Sequence, residues 1–187
     1  MSSSEDLLAR LDSLAVYDTD AHAQQLRTQY RRHVAQVFRQ LGDAPAAAAH
    51  HAAAVLRLEA ELAQASLKLV DRRDPYMLYH KLDRAAVSQL TPHFDWNAYL
   101  RPLELADIGA INVAEPKFFS ALDALLATVS LADLKTYLRW HAANSAARYL
   151  SKSFEDQRFA FFDHTLRGVP LQKPRWKRCV AQVDAQL

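Results

Sequence analysis

Glycine is nearly absent from this chain, with only Gly42, Gly109 and Gly168 in 187 residues. No glycine-rich phosphate loop can be built from so few, and each one sits at a segment end, where a helix stop belongs. Cysteine occurs once, at Cys179, which excludes an internal disulfide and a thiolate metal cluster and leaves the redox compartment open. No stretch approaches the ~20 apolar residues of a membrane span, and the start lacks the basic-then-apolar pattern of a secretory signal. An excess of one charge is missing too. The 23 basic and 21 acidic side chains leave a formal charge of +2, unlike the concentrated basic face of a protein whose main partner is nucleic acid.

Apolar residues and alanine are plentiful. Half the residues are hydrophobic, enough to bury a core without metal or disulfide staples, and a length of 187 residues suits one domain or lobe. Alanine-rich, glycine-poor composition favours helix. The expectation is an all-α fold, an irregular multi-helix bundle around one long central helix, with at most a minor extended segment. Residues 1–187 read as a single helical lobe, with residues 1–20 peripheral or partly disordered.

The central helix is predicted over Ser130–Ser151. Ser130 and Asp133 form a capping box at its start. Leu131, Leu134, Leu138, Ala142, Ala146, Tyr149 and Leu150 fall on one stripe at helical spacing. Leu138 is accordingly placed in the core, and Lys135, Arg139 and Arg148 on the solvated side.

Elsewhere, residues 5–16 carry a short helical pattern, followed by possible N-caps at Asp18, Thr19 and Asp20. An amphipathic stripe from Leu26 through Tyr30, Val34, Val37 and Phe38 to Leu41 ends at Gly42. Asp43 is placed as the cap of a long helix over residues 44–70 with two apolar rows. Asp74-Pro75 is taken to end it, because proline lacks the amide and restricts the residue before it. Short helices are predicted near residues 84–90 and 95–101, and an extended piece over 108–113. Pro116 opens a helix through Phe118, Phe119, Leu122 and Leu126. Ser153 and Asp156 read as a second capping box, Phe154, Phe161, Phe162 and Leu166 as a buried face up to Gly168, and Pro174 as the start of a last helix. The pattern Trp176, Val180, Val183, Leu187 reaches the last residue without a cap, so the chain reads as a fragment.

Five blocks then carry a resemblance. LGD at 41–43, VLRLEAELAQAS at 55–66, RRDPYMLYHK at 72–81, FDWNAYL at 94–100, and YLRWHAANSAARYLS with PRWKRCV at 174–180 occur in one order over residues 26–187. Together they resemble the N-terminal, helical part of the neprilysin-like zinc metallopeptidases, the family of neprilysin, the endothelin-converting enzymes and bacterial oligopeptidase O. The resemblance implies a two-lobed enzyme. One lobe holds zinc and cleaves peptides; the other closes over it and encloses a chamber that admits peptides rather than folded proteins. It further implies zinc in the complete enzyme, the zinc lobe of the same polypeptide and peptide substrates as partners, and a periplasmic or secreted setting over a cytoplasmic one. The alternative is a free-standing helical interaction module without enzymatic role.

The family's zinc motif, His-Glu-x-x-His, places two ligands one helical turn apart with the general-base glutamate beside the first. The histidines here are 22, 33, 50, 51, 80, 93, 141 and 164. No two have that spacing and none precedes a glutamate, so no catalytic or metal residue is assigned. His50 and His51 point ~100° apart on a helix. Glu59 reads as a buried carboxylate paired with arginine, Glu61 shares no face with it, and Cys179 has no base beside it. Six residues remain as possible interdomain or structural contacts: Arg72, Arg73 and Asp74 near a helix end, where cations suit the dipole, and Arg175, Trp176 and Arg178 in a basic helix start whose tryptophan is placed toward the core.

Overall fold

The computed structural model describes residues 21–68 and 70–184. The short helix expected over residues 5–16, the caps at residues 18–20, Leu69 and Leu187 lie outside the described residues. The helices are α1 (Ala21–Gln40), α2 (Pro45–Ala65), α3 (Arg84–Leu90), α4 (Trp96–Leu100), α5 (Pro116–Thr128), α6 (Leu131–Ala146), α7 (Lys152–Arg158) and α8 (Arg175–Asp184). Short 3-10 turns occupy Asp71–Arg73, Pro75–Leu78 and Arg101–Leu103, and α7 runs on as a π-helical stretch over Phe159–Thr165. Strands β1 (Lys81–Asp83) and β2 (Ala110–Asn112) pair antiparallel with Leu82 opposite Ile111. The fold is all-α with this one minor sheet; β1 is the partner that the expected extended piece required.

The described residues form two compact units, one of residues 21–27, 53–68 and 70–138, the other of residues 28–52 and 139–184. The first unit is closed by polar bonds from side chains to backbone groups. Asp83 caps α3 by accepting from Ala86 N at 2.8 Å, and Asp95 caps α4 by accepting from Asn97 N and Ala98 N, both at 3.0 Å. The Asn112 side chain accepts from His80 N at 2.7 Å and donates to Leu78 O at 3.0 Å. Val55, Leu58, Leu62, Val87, Leu100 and Val113 are buried.

The long helix of this unit ends at Ala65, short of the expected residue 70. Ser66 donates its hydroxyl to Leu62 O at 3.0 Å and its amide to Ala63 O at 3.2 Å, tightening the last turn. The next amide, Leu67 N, donates at 2.8 Å to Glu115, just ahead of α5. A carboxylate distant in sequence thus takes the hydrogen bond that another helical turn would use.

The second unit is built on rings. Tyr30, His33, Phe38, Trp140, Phe161 and Phe162 are all buried. The His33 ring lies 5.1 Å from Phe161, nearly parallel at 17°, and edge-on to Trp140 and Phe162 at 5.6 and 5.2 Å. Tyr30 meets Trp140 edge-on at 6.1 Å. Such pairs contribute roughly 0.5–1.5 kcal/mol beyond the area they bury. Gly42 and Gly168 have φ of +96° and +67°, the left-handed stops expected of them.

Four expectations about helix faces and caps are corrected. The stripe assigned to the core of α6 is largely exposed: Leu138 is 58% accessible, and Leu131, Tyr149 and Leu150 are open as well. The buried residues are Trp140, Ala143, Asn144 and Ala147, which also recur at i, i+3, i+4, i+7. Trp140 stands two positions, roughly 200°, from Leu138, and burying its indole sets the other face inward. Arg139 leaves the solvated side: it makes a two-pronged ion pair with Asp43, both bonds at 2.9 Å. The Asp43 carboxylate is therefore spent on Arg139 and on His51 Nδ1, at 2.8 Å, rather than on capping α2. The second capping box is corrected too. Ser151 is the N-cap of α7 without a side-chain bond, Ser153 faces the Ser151 hydroxyl, and Asp156 pairs with Lys152. The first holds in part. Ser130 accepts from Asp133 N at 3.0 Å, while the Asp133 carboxylate turns to Arg57, also at 3.0 Å.

Candidate functional site

The six residues singled out in the sequence separate into bonded and open. In the first unit, Arg72 donates from Nε to Glu115 at 3.0 Å with both side chains largely buried. The same carboxylate holds Leu67 N, so Glu115 clasps the segment after α2 to the start of α5. Asp74 caps the 3-10 turn Pro75–Leu78 by accepting from Tyr76 N at 2.9 Å, and Arg73 is exposed. Arg72 and Arg73 lie seven and eight residues past the end of α2 at Ala65, not in its last turn.

In the second unit, Arg178 pairs with Glu155 at 2.8 Å and reaches the Lys173 carbonyl. Trp176 is 65% exposed, contrary to its expected place in the core, with Lys177 Nζ 5.3 Å from its ring centre. Arg175 and Arg178 line a groove of about 970 Å³ between α8 and the segment from Arg148 through α7 and its π-helical extension. The other side is a short ionic row, with Asp163 bonded to Arg158 at 3.2 Å and Arg167 at 3.3 Å. Leu150, Phe159, Val169, Leu171 and Val183 supply its apolar surface. The sequence pointed to the basic half, from its run of cations around Trp176. It could not point to Arg148, Glu155 or Asp163, because nothing local to them announces a fold-back onto residues near 178.

A second polar cluster, Asp43 with Arg139 and His51, shares no residue with that groove. The Arg139 guanidinium holds the Asp43 carboxyl below the usual carboxylate range; partial burial opposes this and the His51 hydrogen bond reinforces it. The Phe38 ring completes the cluster, 5.5 Å from the Arg139 guanidinium carbon and 5.2 Å from the His51 ring. The arrangement is a packed ion pair and offers no nucleophile.

Among the described residues no three histidine, cysteine or carboxylate side chains converge to hold a metal ion. The His50 and His51 rings are 6.1 Å apart at 57°, and His51 Nδ1 already faces Asp43, so they do not fit a zinc site. Asp123, buried, accepts from His93 N at 3.0 Å and meets its Nδ1 at 2.8 Å, a dyad with one imidazole only. Glu59 is buried, as expected. Cys179 is an exposed free thiol. No helix among the described residues is long and apolar enough to cross a membrane.

Comparison with known proteins adds the following. The family profile "Peptidase family M13" matches residues 5–187. Endothelin-converting enzyme 1 of Rattus norvegicus is 26% identical over 137 residues, covering 71% of this chain and 18% of that protein; the Bos taurus enzyme is 25% identical over the same shares. Among solved structures, the zinc metalloprotease Zmp1 of Mycobacterium tuberculosis in its open state is similar with a TM-score of 0.82 and 27% identity, over 90% of this chain and 27% of that one. Its complex with an inhibitor gives 0.79 at 25% identity, over 89% and 26%. The chain thus spans about a fifth to a quarter of the length of the relatives it matches.

Proposed function

The chain belongs to peptidase family M13 and corresponds to its N-terminal region, and on that premise we propose that it is the non-catalytic helical lobe of a zinc metalloendopeptidase. Residues 1–187 form, on this reading, one helical lobe that encloses peptide substrates and restricts their size, while zinc and the water it activates belong to a lobe elsewhere in the same polypeptide. The observation that carries the reading is the match to zinc metalloproteases over nine-tenths of this chain, joined to the histidines and carboxylates among the described residues, which do not converge on a metal. This chain's own residues would then bind and exclude rather than activate water. Arg73 and Trp176, exposed here, are proposed to meet the remainder of the enzyme, Arg175 to line the groove beside α8, and Arg72, Asp74 and Arg178 to hold the local structure that presents them.

The cheapest test reads the codons that follow Leu187. A His-Glu-x-x-His within roughly three hundred codons, in line with the length of the relatives, is the expected result. With the complete enzyme in hand, cleavage of one recognition peptide presented free, at the end of a folded domain, and inside a folded loop tests the enclosure. Hydrolysis should fall steeply along that series. Equal cleavage of all three would remove the size-selecting role.

A further inference from the structure

The groove of the second unit has an unbalanced charge. Six basic and two acidic side chains line it. Both acids are answered from close by, Glu155 by Arg178 at 2.8 Å and Asp163 by Arg158 and Arg167 at 3.2 and 3.3 Å. Arg148, Lys173, Arg175 and Lys177 are exposed, and among the described residues no carboxylate pairs with any of them. Between these cations lie the exposed apolar side chains of Leu150, Val169, Leu171 and Val183. A volume of about 970 Å³ is at the top of the roughly 300–1,000 Å³ range of ligand sites, far more than one inorganic anion fills.

We propose that this groove binds acidic peptides, extended segments of a separate chain in which two or more carboxylates are interspersed with apolar side chains. The carboxylates meet the uncompensated cations along the rim, where charge complementarity sets orientation and selectivity, and the apolar side chains cover Leu171 and its neighbours. An oligonucleotide offers the charge without side chains for that apolar surface, and the chain's overall charge of +2 supplies no wider field to hold it. The peptidase reading is not a premise, because binding is assayed on the 187-residue chain itself.

The test is fluorescence anisotropy of a labelled decapeptide of alternating Glu and Leu with that chain. An isomer with Gln for every Glu and a single-stranded oligonucleotide of equal charge serve as competitors. Saturable binding of the Glu peptide is expected, about tenfold tighter than the Gln isomer and weakening as screening shortens from ~50 to ~200 mM salt. The double variant Lys173→Glu, Arg175→Glu should lose that preference with an unchanged melting curve, since both residues are exposed. Lys117→Glu, exposed in the first unit, should bind like the parent. No binding, equal binding of the Glu and Gln isomers, equal loss in the Lys117 variant, or preference for the oligonucleotide would each overturn the assignment.

Discussion

In the first unit Asp83, Asp95 and Glu115 each close on a backbone amide, the partners two to 48 positions apart in sequence. In the second, Tyr30 and His33 meet Trp140 and Phe161 across more than a hundred residues of chain, and Asp43 meets Arg139 across 96. The first is therefore mostly an assembly of short elements held by nearby side chains, with Glu115 and the Arg57–Asp133 pair reaching farther along the chain. The second is one long-range contact set in which rings fill the interior and an ion pair sits at its edge. Closing such distant contacts costs chain entropy before it is repaid, so the second unit should stand or fall as a whole, while the first should loosen piecewise.

The largest effect is expected at Trp140, fully buried among Tyr30 and His33. Trp140→Ala should cost about 3–5 kcal/mol in chemical denaturation and broaden the aromatic proton shifts of the second unit while leaving the β1–β2 signals in place. Leu100→Ala, a buried position of the first unit, should cost about 2–3 kcal/mol, the low end for such truncations, because short exposed helices around it can collapse into the gap. A loss at Leu100 equal to that at Trp140 would erase the contrast between the units.

Asp43→Asn comes next, at about 1–2 kcal/mol near neutral pH, discounted because the Arg139 side chain is 40% exposed. Its pH dependence sharpens the assignment. The folded-state pKa of Asp43 is lowered, so its contribution is complete above the unfolded carboxylate pKa of about 4 and is lost as pH falls through the folded value. The gap between wild type and variant should be flat down to about pH 5 and shrink below about pH 4. A gap that widens on acidification would mean the charged form is not the one stabilised. The smallest effect is expected at Leu138→Ala, below about 0.5 kcal/mol for an exposed side chain.

That ordering inverts the one the sequence suggests, and the reason is specific. Leu138 and its neighbours at 131, 134 and 142 form a perfect helical stripe, but periodicity says that a face is apolar, not that anything covers it. Trp140, counted only as widening that stripe, carries more apolar area than any leucine on it and decides which way α6 turns. Signals confined to a few residues were legible: the glycine stops at 42 and 168, the proline openings at 116 and 174, the short helices near residues 84–90 and 95–101, and the hydroxyl of Ser130. Signals that depend on distant partners were not. The end of α2 at Ala65 is set by Glu115, the orientation of Arg139 by Asp43, and one wall of the groove by Glu155. The family resemblance was legible because blocks in a fixed order survive even where contacts cannot be inferred. Arg175 and Arg178 were reached through their basic run, whereas Arg148 carries no local mark of the groove it lines.

The proposal that this chain encloses substrate and brings no catalytic metal is tested most directly by equilibrium dialysis of purified residues 1–187 against micromolar zinc. A fluorogenic peptide assay should be run on the same sample before and after chelation. The expected result is no stoichiometric tight zinc and no cleavage above the buffer rate. One zinc per chain together with chelator-sensitive peptidase activity that survives repurification would contradict it.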